Sequence, residues 1–403
     1  MTIGVLGAGY VGLATAASFA ARGFAVICAD VNPERIALLK QGELPFFEEG
    51  MLDVFREAAI PVSFTLDSTL ACKCDVVFCC VGTPSAADGS ADLSFVQAAA
   101  TMCVEAMPGA IFILKSTVPP GTSRAIRDAV RGRLRVAANP EFLREGSAVN
   151  DALHPSRVVI GADDPDVATV LSNLYQQTDV PLLVTDTMTA EMVKYASNSF
   201  LATRISFINE IAALCEAVGA DVLAVAKGMG FDDRIGPNLQ PGPGYGGSCF
   251  PKDVRALIHL GGTVQVPLKV LSAVATVNEE RQRLSFDRLG KHLGDLAGKR
   301  IAVWGLAFKP GTDDIRDAPA VAFIEQCLGA GASITAYDPL VREAIIKKFP
   351  TVRLAPNAVA ALDGADALVV MTDWSEFRAY RYADVTTQVS SGLVVDLRFV
   401  LQR

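Results

Sequence analysis

The sequence carries no excess of positive charge. Its 403 residues include 36 lysines and arginines against 44 aspartates and glutamates, which gives a formal net charge of −8 at pH 7. Such a surface would repel a phosphodiester backbone, so we expect no nucleic-acid partner. Any phosphate group that the protein binds must therefore be held by local N–H groups and a few lysine or arginine side chains.

The nine cysteines lack the spacing of a disulfide framework or a zinc site. Their number is odd and they are scattered along the chain, which is typical of reduced thiols. Cys72 and Cys74 lie near Cys79 and Cys80, but no second Cys or His pair follows at the distance that a zinc site needs. Cys79 and Cys80 also lie in the apolar run Asp75 to Val81, which indicates a strand. We predict buried thiols here and no metal.

Charge is also missing from the first 21 residues, Met1 to Ala21. A signal peptide would begin with basic residues, and the four glycines in this stretch argue against a membrane span. A buried strand, a glycine turn and an alanine-rich helix account for the composition instead. We expect a cytoplasmic protein without a membrane partner.

The N-terminal part has the pattern of a doubly wound α/β sheet. Thr2 to Leu6 predicts a strand, Tyr10 to Ala21 a helix and Ala25 to Ala29 a second strand, which together form a βαβ unit. Later apolar runs predict further strands at Asp75 to Val81, Ala110 to Lys115, Leu134 to Ala138, Arg157 to Gly161 and Pro181 to Val184. Because strands and helices alternate, we predict a parallel sheet in a domain of residues 1–185.

Helical spacing of apolar residues dominates the middle of the chain. One long helix is predicted from Thr189 to Val218, with Gly219 at its C′ position, and a second helical block from Pro267 to Leu293. These helices are apolar around much of their circumference, which favours a homodimer through this region, and burial within a single chain is the alternative. We assign residues 186–293 to a central helical domain.

The last part of the chain repeats the N-terminal pattern. Ile301 to Gly305 is similar to Ile3 to Gly7, and two later strands also have N-terminal counterparts. We therefore predict a second Rossmann-like fold over residues 294–403. Its glycine turn lacks the third glycine and contains Lys309, so it should bind a different nucleotide.

The turn Gly7-Ala8-Gly9-Tyr10-Val11-Gly12 predicts a dinucleotide site. The first glycine forms the turn, the second admits the pyrophosphate, and the third allows close packing of helix on sheet. Asp30 ends the second strand, where a carboxylate accepts hydrogen bonds from ribose hydroxyls and repels a 2′-phosphate. NAD is therefore the expected cofactor, and Arg35 keeps NADP open as an alternative.

Two turns and a pair of carboxylates follow other predicted strands. Gly82-Thr83-Pro84 and Lys115-Ser116-Thr117 lie at the carboxyl ends of strands, where doubly wound sheets bind ligands, although ordinary turn chemistry explains them equally well. Glu141 and Glu145 are four residues apart, which would place them on one face of a helical turn. A solvated surface pair is the alternative.

Three side chains in the central region form a second candidate site. Cys249 follows a glycine-rich loop and precedes a predicted helix start, where N–H groups and the nearby Lys252 would lower the pKa of its thiol. Lys194 and Asn198 share one face of the long helix, where they would either stabilise an oxyanion or form an amphipathic stripe. A dinucleotide cofactor together with an exposed thiol suggests oxidation through a thioester.

Five motifs together resemble one enzyme family. They are Gly-Ala-Gly-Tyr-Val-Gly at 7–12, Lys-Ser-Thr-Val-Pro at 115–119, Asn-Pro-Glu-Phe-Leu-Arg-Glu-Gly at 139–146, Gly-Gly-Ser-Cys-Phe-Pro-Lys-Asp at 246–253 and Gly-Leu-Ala-Phe-Lys-Pro-Gly-Thr-Asp-Asp-Ile-Arg at 305–316. In this order, over almost the whole chain, they resemble the UDP-glucose/GDP-mannose dehydrogenase family. The resemblance implies two successive oxidations of a nucleotide sugar at C6 with two NAD⁺ and one water, and UDP-glucose is the favoured substrate.

The resemblance also implies catalytic roles. In that scheme Cys249 forms the thioester, Lys194 and Asn198 hold the oxyanion, and Asp253 orients Lys194 and a water. The residues that would position the water or act as a base are Glu141, Glu145 and Thr117.

Ligand contacts follow from the same resemblance. The implied NAD contacts are Gly7, Gly9, Tyr10, Val11, Gly12, Asp30, Arg35, Gly82, Thr83, Pro84, Thr117, Glu145 and Arg316. The implied nucleotide-sugar contacts are Glu141, Phe142, Leu143, Lys194, Asn198, Arg234, Gln240, Gly244, Tyr245, Gly246, Lys309 and Arg398. Among these, Arg234 would reach the substrate of a neighbouring subunit.

One loop departs from the family pattern. The stretch Arg234-Ile235-Gly236-Pro237-Asn238-Leu239-Gln240 is one residue shorter and lacks a phenylalanine that walls the sugar pocket. UDP-N-acetylhexosamines and GDP-mannose therefore stay open as alternative substrates. The remaining alternatives are a two-electron 3-hydroxyacid dehydrogenase and a catalytically silent NAD-binding protein, but neither has a use for Cys249.

Overall fold

The structure is a computed structural model that describes residues 1–176 and 180–402. The chain divides into two compact units, Met1–Ser197 and Asn198–Arg403. The division falls within the long helix α9 (Thr187–Val218), so this helix belongs to both units.

The first unit is built on one sheet. Its strands are β1 (Thr2–Leu6), β2 (Ala25–Ala29), β3 (Ser63–Thr65), β4 (Val76–Cys79), β5 (Ile111–Leu114), β6 (Arg135–Ala138), β7 (Val158–Ala162) and β8 (Leu182–Thr185). They lie in the order β3-β2-β1-β4-β5-β6-β7-β8. The helices before α9 are α1 (Tyr10–Ala21), α2 (Pro33–Lys40), α3 (Met51–Glu57), α4 (Ser68–Cys72), α5 (Ser94–Ala106), α6 (Thr122–Ala129), α7 (Ala148–Leu153) and α8 (Pro165–Leu174).

Both faces of the central strands β1, β4 and β5 are covered, as their uniformly apolar sequences predict. On β1, Ile3 and Val5 pack into the cluster that contains Leu13 and Phe19 of α1. Leu6 packs into a second cluster with α5 and α6. The carboxyl ends of the strands are therefore the exposed edge at which loops can hold a ligand.

One strand pairing corrects the predicted parallel sheet. β6 and β7 pair antiparallel, whereas β1 to β6 pair parallel with their neighbours. Residues 139–157 therefore stay at the edge where β6 ends instead of crossing the sheet before β7 begins. This keeps the predicted site segment 139–146 at the carboxyl edge.

The second unit begins within α9 and continues through two helical hairpins into a smaller sheet. Its further helices are α10 (Val222–Gly230), α11 (Phe250–Thr263), α12 (Lys269–Leu293), α13 (Pro319–Gly329), α14 (Glu343–Lys348) and α15 (Tyr382–Thr386). Its strands are β9 (Arg300–Trp304), β10 (Ser333–Tyr337), β11 (Arg353–Leu354), β12 (Ala367–Val370) and β13 (Leu393–Asp396). Two 3-10 helices span Val359–Leu362 and Ser375–Ala379. The sheet is wholly parallel, in the order β11-β10-β9-β12-β13.

The predicted fold class is confirmed: the chain has two Rossmann-like folds and a long central helical segment. The long helix ends at Val218 as predicted, and Gly219 follows it with a left-handed φ of +78°. The predicted helical turn across Glu141 and Glu145 is wrong, because residues 139–147 are irregular and α7 begins at Ala148. Their four-residue spacing therefore does not place the two carboxylates on one helix face.

The sequence analysis also expected no membrane span, no metal site and no disulfide framework. Within the described residues, no helix is both long and apolar enough to cross a membrane. Over the same residues no group of His, Cys, Asp and Glu has the makings of a metal site. Eight of the nine cysteines are buried and take part in no disulfide, whereas Cys249 is partly exposed.

Candidate active site

The first glycine turn is shaped for a backbone-bound ligand. Gly7 has a φ of +98°, and a Cβ there would lie 2.8 Å from the Cys80 carbonyl oxygen. A Cβ on Gly12 would overlap the Gly7 carbonyl oxygen, so this glycine is needed for packing. Gly9, the N-cap of α1, would carry a Cβ with no neighbour within 4 Å. The open space at the start of α1 suits a pyrophosphate, because helix N–H groups point into it.

Asp30 stands at the end of β2 with its carboxylate already engaged. It accepts hydrogen bonds from the Ala8 N–H (2.7 Å) and the Asn32 N–H (2.9 Å), and it pairs with the Arg35 guanidinium at 2.8 Å. Burial raises the pKa of Asp30, but these hydrogen bonds and the charge of Arg35 outweigh it, so the pKa lies below its ordinary value. In this state Arg35 pairs with Asp30, and the buried Asp30 carboxylate favours NAD because it would repel a 2′-phosphate.

The other predicted cofactor turns meet at the same edge. The Thr83 hydroxyl donates to the Thr117 carbonyl oxygen at 2.8 Å, which joins the turns after β4 and β5. Gly82 and Pro84 are exposed beside them. Tyr10 stacks on the Phe46 ring with centroids 3.8 Å apart, which fixes the first turn of α1. The predicted NAD contacts between Gly7 and Thr117 thus lie along one edge of the same sheet.

The segment after β6 is fixed by a residue that the sequence did not reveal. The buried Glu48 accepts hydrogen bonds from the Gly146 N–H (2.8 Å) and the Ala148 N–H (2.7 Å). It therefore caps α7 and closes the loop that contains Glu145. Glu43 and Glu49 lie in the same loop as Glu48, so neither a motif nor its charge singled out Glu48 in the sequence.

Lys194 and Glu141 form a buried ion pair. The Lys194 ammonium lies 2.8 Å from Glu141 Oε1, and both side chains are almost inaccessible to solvent. The other oxygen of Glu141 accepts a hydrogen bond from the Leu143 N–H at 2.5 Å. Lys194 and Thr117 also line one small cavity, whose other walls are Leu114, Ser116, Val118, Ala138, Pro140 and Glu191. The structure thus brings three predicted catalytic residues of the first unit together.

Two further side chains stabilise this arrangement. Glu191, one turn before Lys194 on α9, accepts hydrogen bonds from the Gly121 N–H, the Ser123 N–H and the Ser123 hydroxyl. Burial raises the pKa of Glu191, although these hydrogen bonds oppose the shift. The Arg157 guanidinium lies over the Phe142 ring at 3.7 Å from its centroid. Neither Glu191 nor Arg157 was predicted, because each acts through its neighbours and not through a motif.

The thiol of the second unit stands at a helix start, as predicted. Cys249 is the N-cap residue of α11 and is partly exposed, and its carbonyl oxygen accepts from the Asp253 N–H at 2.9 Å. Its Sγ lies 3.5 Å from the Ser248 hydroxyl. Asp253 is fully buried and accepts from the Asn198 amide and the Lys252 ammonium, each at 2.6 Å. The positive charge of Lys252 is therefore balanced beside the thiol loop.

The glycine-rich loop before Cys249 packs against the second Rossmann-like fold. A Cβ on Gly246 would overlap the Asp317 carbonyl oxygen, and one on Gly247 would lie 2.7 Å from the Phe308 ring. The Gly247 N–H also donates to the Arg316 carbonyl oxygen at 2.8 Å. Only glycines permit this close contact, so the thiol loop and the loop after β9 form one structure within the second unit.

The predicted substrate residues of this unit fall into two groups. Gly244, Tyr245 and Gly246 are buried in the loop, whereas Gln240 is exposed. Arg398 lies beside them: its Nε donates to the Met371 carbonyl oxygen (2.9 Å) and one Nη to that of Phe308 (3.1 Å).

The side chains of the remaining predicted cations are less buried than this loop core. Lys309, which follows Phe308, is only half-buried. The side chains of Arg234 and Arg316 are exposed, and each is held by a nearby aspartate, Asp232 and Asp314 respectively. Both arginines are thus presented to solvent with a fixed orientation.

Three matches to known protein domains cover nearly the whole chain. Residues 1–179 match the UDP-glucose/GDP-mannose dehydrogenase family NAD binding domain, residues 188–280 its central domain and residues 302–403 its UDP binding domain. The prediction of NAD as cofactor is thereby confirmed, and the glycine turn and Asp30 fit that cofactor.

Individual relatives agree with these matches. The chain is 42% identical to the UDP-glucose 6-dehydrogenase of Rhizobium meliloti (strain 1021), over 100% of this chain and 96% of the relative. It is 41% identical to the UDP-glucose 6-dehydrogenase of Pseudomonas aeruginosa, over 99% of this chain and 93% of the relative.

A solved UDP-glucose dehydrogenase from Pyrobaculum islandicum superposes with a TM-score of 0.94 at 38% identity, over 99% of this chain and 94% of that one. A UDP-D-ManNAc dehydrogenase from Pyrococcus horikoshii superposes with a TM-score of 0.88 at 28% identity, over 100% and 96%. These similarities confirm the resemblance that the five motifs indicated. This chain belongs to the UDP-glucose/GDP-mannose dehydrogenase family.

Proposed function

We propose that the protein oxidises UDP-glucose to UDP-glucuronate at C6, with Cys249 as a covalent nucleophile. The balanced reaction is UDP-glucose + 2 NAD⁺ + H₂O → UDP-glucuronate + 2 NADH + 3 H⁺. The observation that carries the proposal is the partly exposed Cys249 at the start of α11, in a loop packed against the loop after β9. The UDP-glucose 6-dehydrogenases with about two-fifths identity support the substrate.

Each of the three domains that were predicted from the sequence has its own role. Residues 1–185 bind NAD, residues 186–293 form the central helical domain with the thiol loop, and residues 294–403 bind the nucleotide sugar. When bound, NAD supplies the hydride acceptor for each of the two oxidation steps. The protein contributes the positions of substrate, water and protons.

In the first oxidation, the C6 hydroxyl loses a proton to a base while C6 loses a hydride. The ion pair of Lys194 and Glu141 supports a role for both side chains at this point, because it fixes the orientation of a buried carboxylate beside the ammonium that would stabilise the developing oxyanion. Glu145 and Thr117 assist in positioning the water that is needed later. Lys194 and Asn198, one helical turn apart on α9, stabilise the oxygen that becomes negative.

In the second half, the Cys249 thiolate adds to C6 of the aldehyde and forms a hemithioacetal. Loss of a second hydride gives a thioester, and water then cleaves the carbon–sulfur bond to release the carboxylate and the thiol. Asp253 supports this step because its carboxylate accepts hydrogen bonds from the Asn198 amide and from the ammonium of Lys252, the preceding residue, each at 2.6 Å. Association of the two subunits and binding of the cofactor would exclude bulk water from the site during these steps.

We also infer a cytoplasmic homodimer. Phe200, Phe207 and Leu214 are exposed at seven-residue intervals along α9, which gives one apolar stripe on the helix. The exposed Arg234 is available to a second copy. Light scattering should give a dimer mass for the wild type, and Phe207→Glu should shift it towards the monomer. The eight buried thiols support a reducing compartment.

Stoichiometry tests the four-electron reaction. Two NADH should form for each UDP-glucose consumed, measured by absorbance and by chromatography of the sugar nucleotide. A firm ratio of one would favour a two-electron dehydrogenase and overturn the thioester scheme.

A cysteine substitution tests the nucleophile. Cys249→Ser should lower steady-state turnover by at least about a hundredfold, because serine does not form a hydrolysable thioester. Cys215→Ser, in a buried thiol of the same unit, is the matched control and should retain activity. Wild-type turnover in Cys249→Ser would refute the proposed role.

A panel of nucleotide sugars tests the substrate. NADH production should be highest with UDP-glucose and lower with UDP-N-acetylhexosamines and GDP-mannose. A higher kcat/KM for one of the latter would reassign the sugar while leaving the reaction class unchanged.

A further inference from the structure

Helix α12 buries a polar stripe that belongs to none of the recognised motifs. The buried positions on this helix are Val274, Asn278, Arg281, Ser285 and Leu289. They recur at intervals of three and four residues and therefore form one face. Arg281 is only 6% exposed. Burial of an arginine is costly unless its charge is compensated, so this residue requires an explanation.

Arg281 and Asn209 hold the same residue of the glycine-rich loop, Gly242. The Arg281 Nε donates to the Gly242 carbonyl oxygen at 2.7 Å, and the Gly242 N–H donates to Asn209 Oδ1 at 2.7 Å. One turn earlier on α12, Asn278 accepts from the Tyr245 N–H and donates to its carbonyl oxygen. Two stripe residues and Asn209 therefore set the shape of the loop that was predicted to contact the nucleotide sugar.

Holding the loop does not account for the charge of Arg281. In the part of the chain that the structure describes, no carboxylate lies within ion-pair distance of its guanidinium. Burial lowers the pKa of Arg281 to about 10, the charge of Arg288 adds to the shift, and the charge of Glu216, which pairs with Arg288, opposes it. A neutral glutamine would donate a hydrogen bond to Gly242 equally well. The site thus contains positive charge beyond what the loop needs.

A second cation and an unused donor border the same glycine. An Nη atom of Arg398 lies 3.2 Å from the position that a Gly242 Cβ would occupy. Asp373 lies 3.5 Å from this guanidinium, and the charges of Asp373 and Asp396 partly offset the lowering of the Arg398 pKa by burial. The Asn209 Nδ2 is buried without a hydrogen-bond partner, although the side chain is only 1% exposed. Two guanidinium groups and an amide donor without a partner thus surround Gly242.

We propose that Arg281, together with Arg398, binds the diphosphate group of the nucleotide sugar beside Gly242. The inference rests on the proposed function and assigns a ligand contact to a residue of the central helix. Two guanidinium groups suit a diphosphate, because each can donate two parallel hydrogen bonds to phosphate oxygens. Gly242 suits it as well, because a side chain there would occupy the space next to Arg398.

The test compares ligands that differ only in phosphate. Calorimetry measures the Kd of UDP, and ligand-observed NMR measures that of uridine, for the wild type and for Arg281→Met. We expect UDP binding to weaken by at least about tenfold in the variant and uridine binding to stay within about twofold. Equal weakening of both ligands would reduce Arg281 to a residue that only shapes the loop and would overturn the proposal, as would unchanged UDP binding.

Further variants distinguish the loss of a phosphate contact from a folding defect. Arg281→Lys keeps the charge and should restore part of the UDP affinity. Asn209→Asp keeps the acceptor for the Gly242 N–H but adds negative charge, so it should weaken UDP more than uridine; equal weakening of both would again contradict the proposal. Arg283→Met, exposed on the same helix, is the control and should bind UDP as the wild type does. A folded wild type that binds no UDP would instead overturn the proposed function.

Discussion

The two Rossmann-like folds of this chain share a scaffold and differ where they meet their ligands. The strand order β3-β2-β1-β4-β5 of the first fold recurs as β11-β10-β9-β12-β13 in the second. In both folds the first strand is followed by a glycine with left-handed φ, +98° at Gly7 and +87° at Gly305. In both, the second strand is followed by an aspartate, Asp30 or Asp338. The scaffold alone would suggest two similar nucleotide sites.

The aspartates show that the sites differ. The Asp30 carboxylate is shared between two backbone N–H groups and Arg35, which is partly exposed and so is displaceable by a ribose. Asp338 is buried and accepts five hydrogen bonds. The donors to Asp338 are the backbone N–H groups of Leu306, Ala307, Leu340 and Val341 and the indole N–H of Trp374. A carboxylate so fully engaged organises its own fold and leaves little capacity for a ligand.

The connections after the first strands differ as well. In the first fold only residues 7–9 separate β1 from α1, so the helix N-terminus lies at the glycine turn. In the second fold residues 305–318 separate β9 from α13. This long loop carries Lys309 and Arg316 and packs against the thiol loop. One fold thus offers helix N–H groups to a pyrophosphate, and the other offers cationic side chains.

The largest effect should come from Asp338. We expect Asp338→Ala to lower the free energy of unfolding of the second fold by about 3–5 kcal/mol, because five buried donors would lose their acceptor. Urea denaturation followed by tryptophan fluorescence measures this, since Trp304 and Trp374 both lie in that fold. Asp30→Ala should cost the first fold less, because fewer groups depend on it; far-UV circular dichroism measures this loss, since both tryptophans lie in the second fold. Equal losses would contradict the distinction between the two aspartates.

The next effect should separate binding from folding at the first glycine turn. Gly9→Ala places a methyl group where no protein atom lies within 4 Å, so the melting temperature should be unchanged. The same methyl group would stand in the space for the pyrophosphate, and we expect the Kd for NADH to rise by at least about tenfold. Gly329→Ala, at the end of α13 in the second fold, also meets open space. This control should change neither quantity, and a loss of NADH affinity in it would undo the interpretation.

A smaller change is expected in the choice of cofactor. Asp30→Asn should reduce the ratio of kcat/KM for NAD over NADP by about tenfold, because it removes the repulsion of a 2′-phosphate and releases Arg35. Steady-state assays with both cofactors measure the ratio. In Asp30→Asn/Arg35→Met the gain with NADP should disappear. If it persisted, Arg35 would have no part in the discrimination.

The smallest effects should appear in the pH dependence of stability, with opposite signs in the two folds. The pKa of Asp30 lies below the ordinary value of 3.8, so its contribution is present above that value and lost as the pH falls through the folded pKa. Burial raises the pKa of Asp396 in the second fold, despite hydrogen bonds from the N–H groups that follow it. Its contribution is present below the ordinary value and lost as the pH rises through the folded pKa.

Melting curves of Asp30→Asn and Asp396→Asn against the wild type check these signs. As the pH falls, the deficit of Asp30→Asn should shrink, whereas any deficit of Asp396→Asn should grow. The same trend in both variants would show that one of the two assignments is wrong.

Most of the fold followed from local sequence patterns. Helix α1 and strand β2 have the predicted bounds, and α9 begins within two residues of its prediction. These elements were predictable because glycine turns and helical periodicity are local. The antiparallel pairing of β6 and β7 was not, because it depends on the path of residues 139–157, which no pattern within β7 reveals.

The candidate site was predictable only where residues carry motifs. Cys249 was expected at a helix start and lies there, and Lys194 and Asn198 lie on the predicted helix. The residues that fix the surrounding loops were missed: Glu48, Glu191 and Arg281 act through backbone groups distant in sequence. Such a role leaves no local signature apart from a charge on a face that is otherwise buried, as at Arg281.

The close contact of Gly246 and Gly247 with the loop after β9 has a consequence for engineering. A chimaera that exchanged the second Rossmann-like fold at residue 299, to change the nucleotide that is accepted, would pair a foreign loop with the native glycines. Phe308 and Asp317 fit those glycines without room for a Cβ, so even a small shift of the loop would displace the chain that leads to Cys249. A transplant that preserves chemistry should therefore carry residues 240–249 with the sheet, and crossover points are better placed in α9.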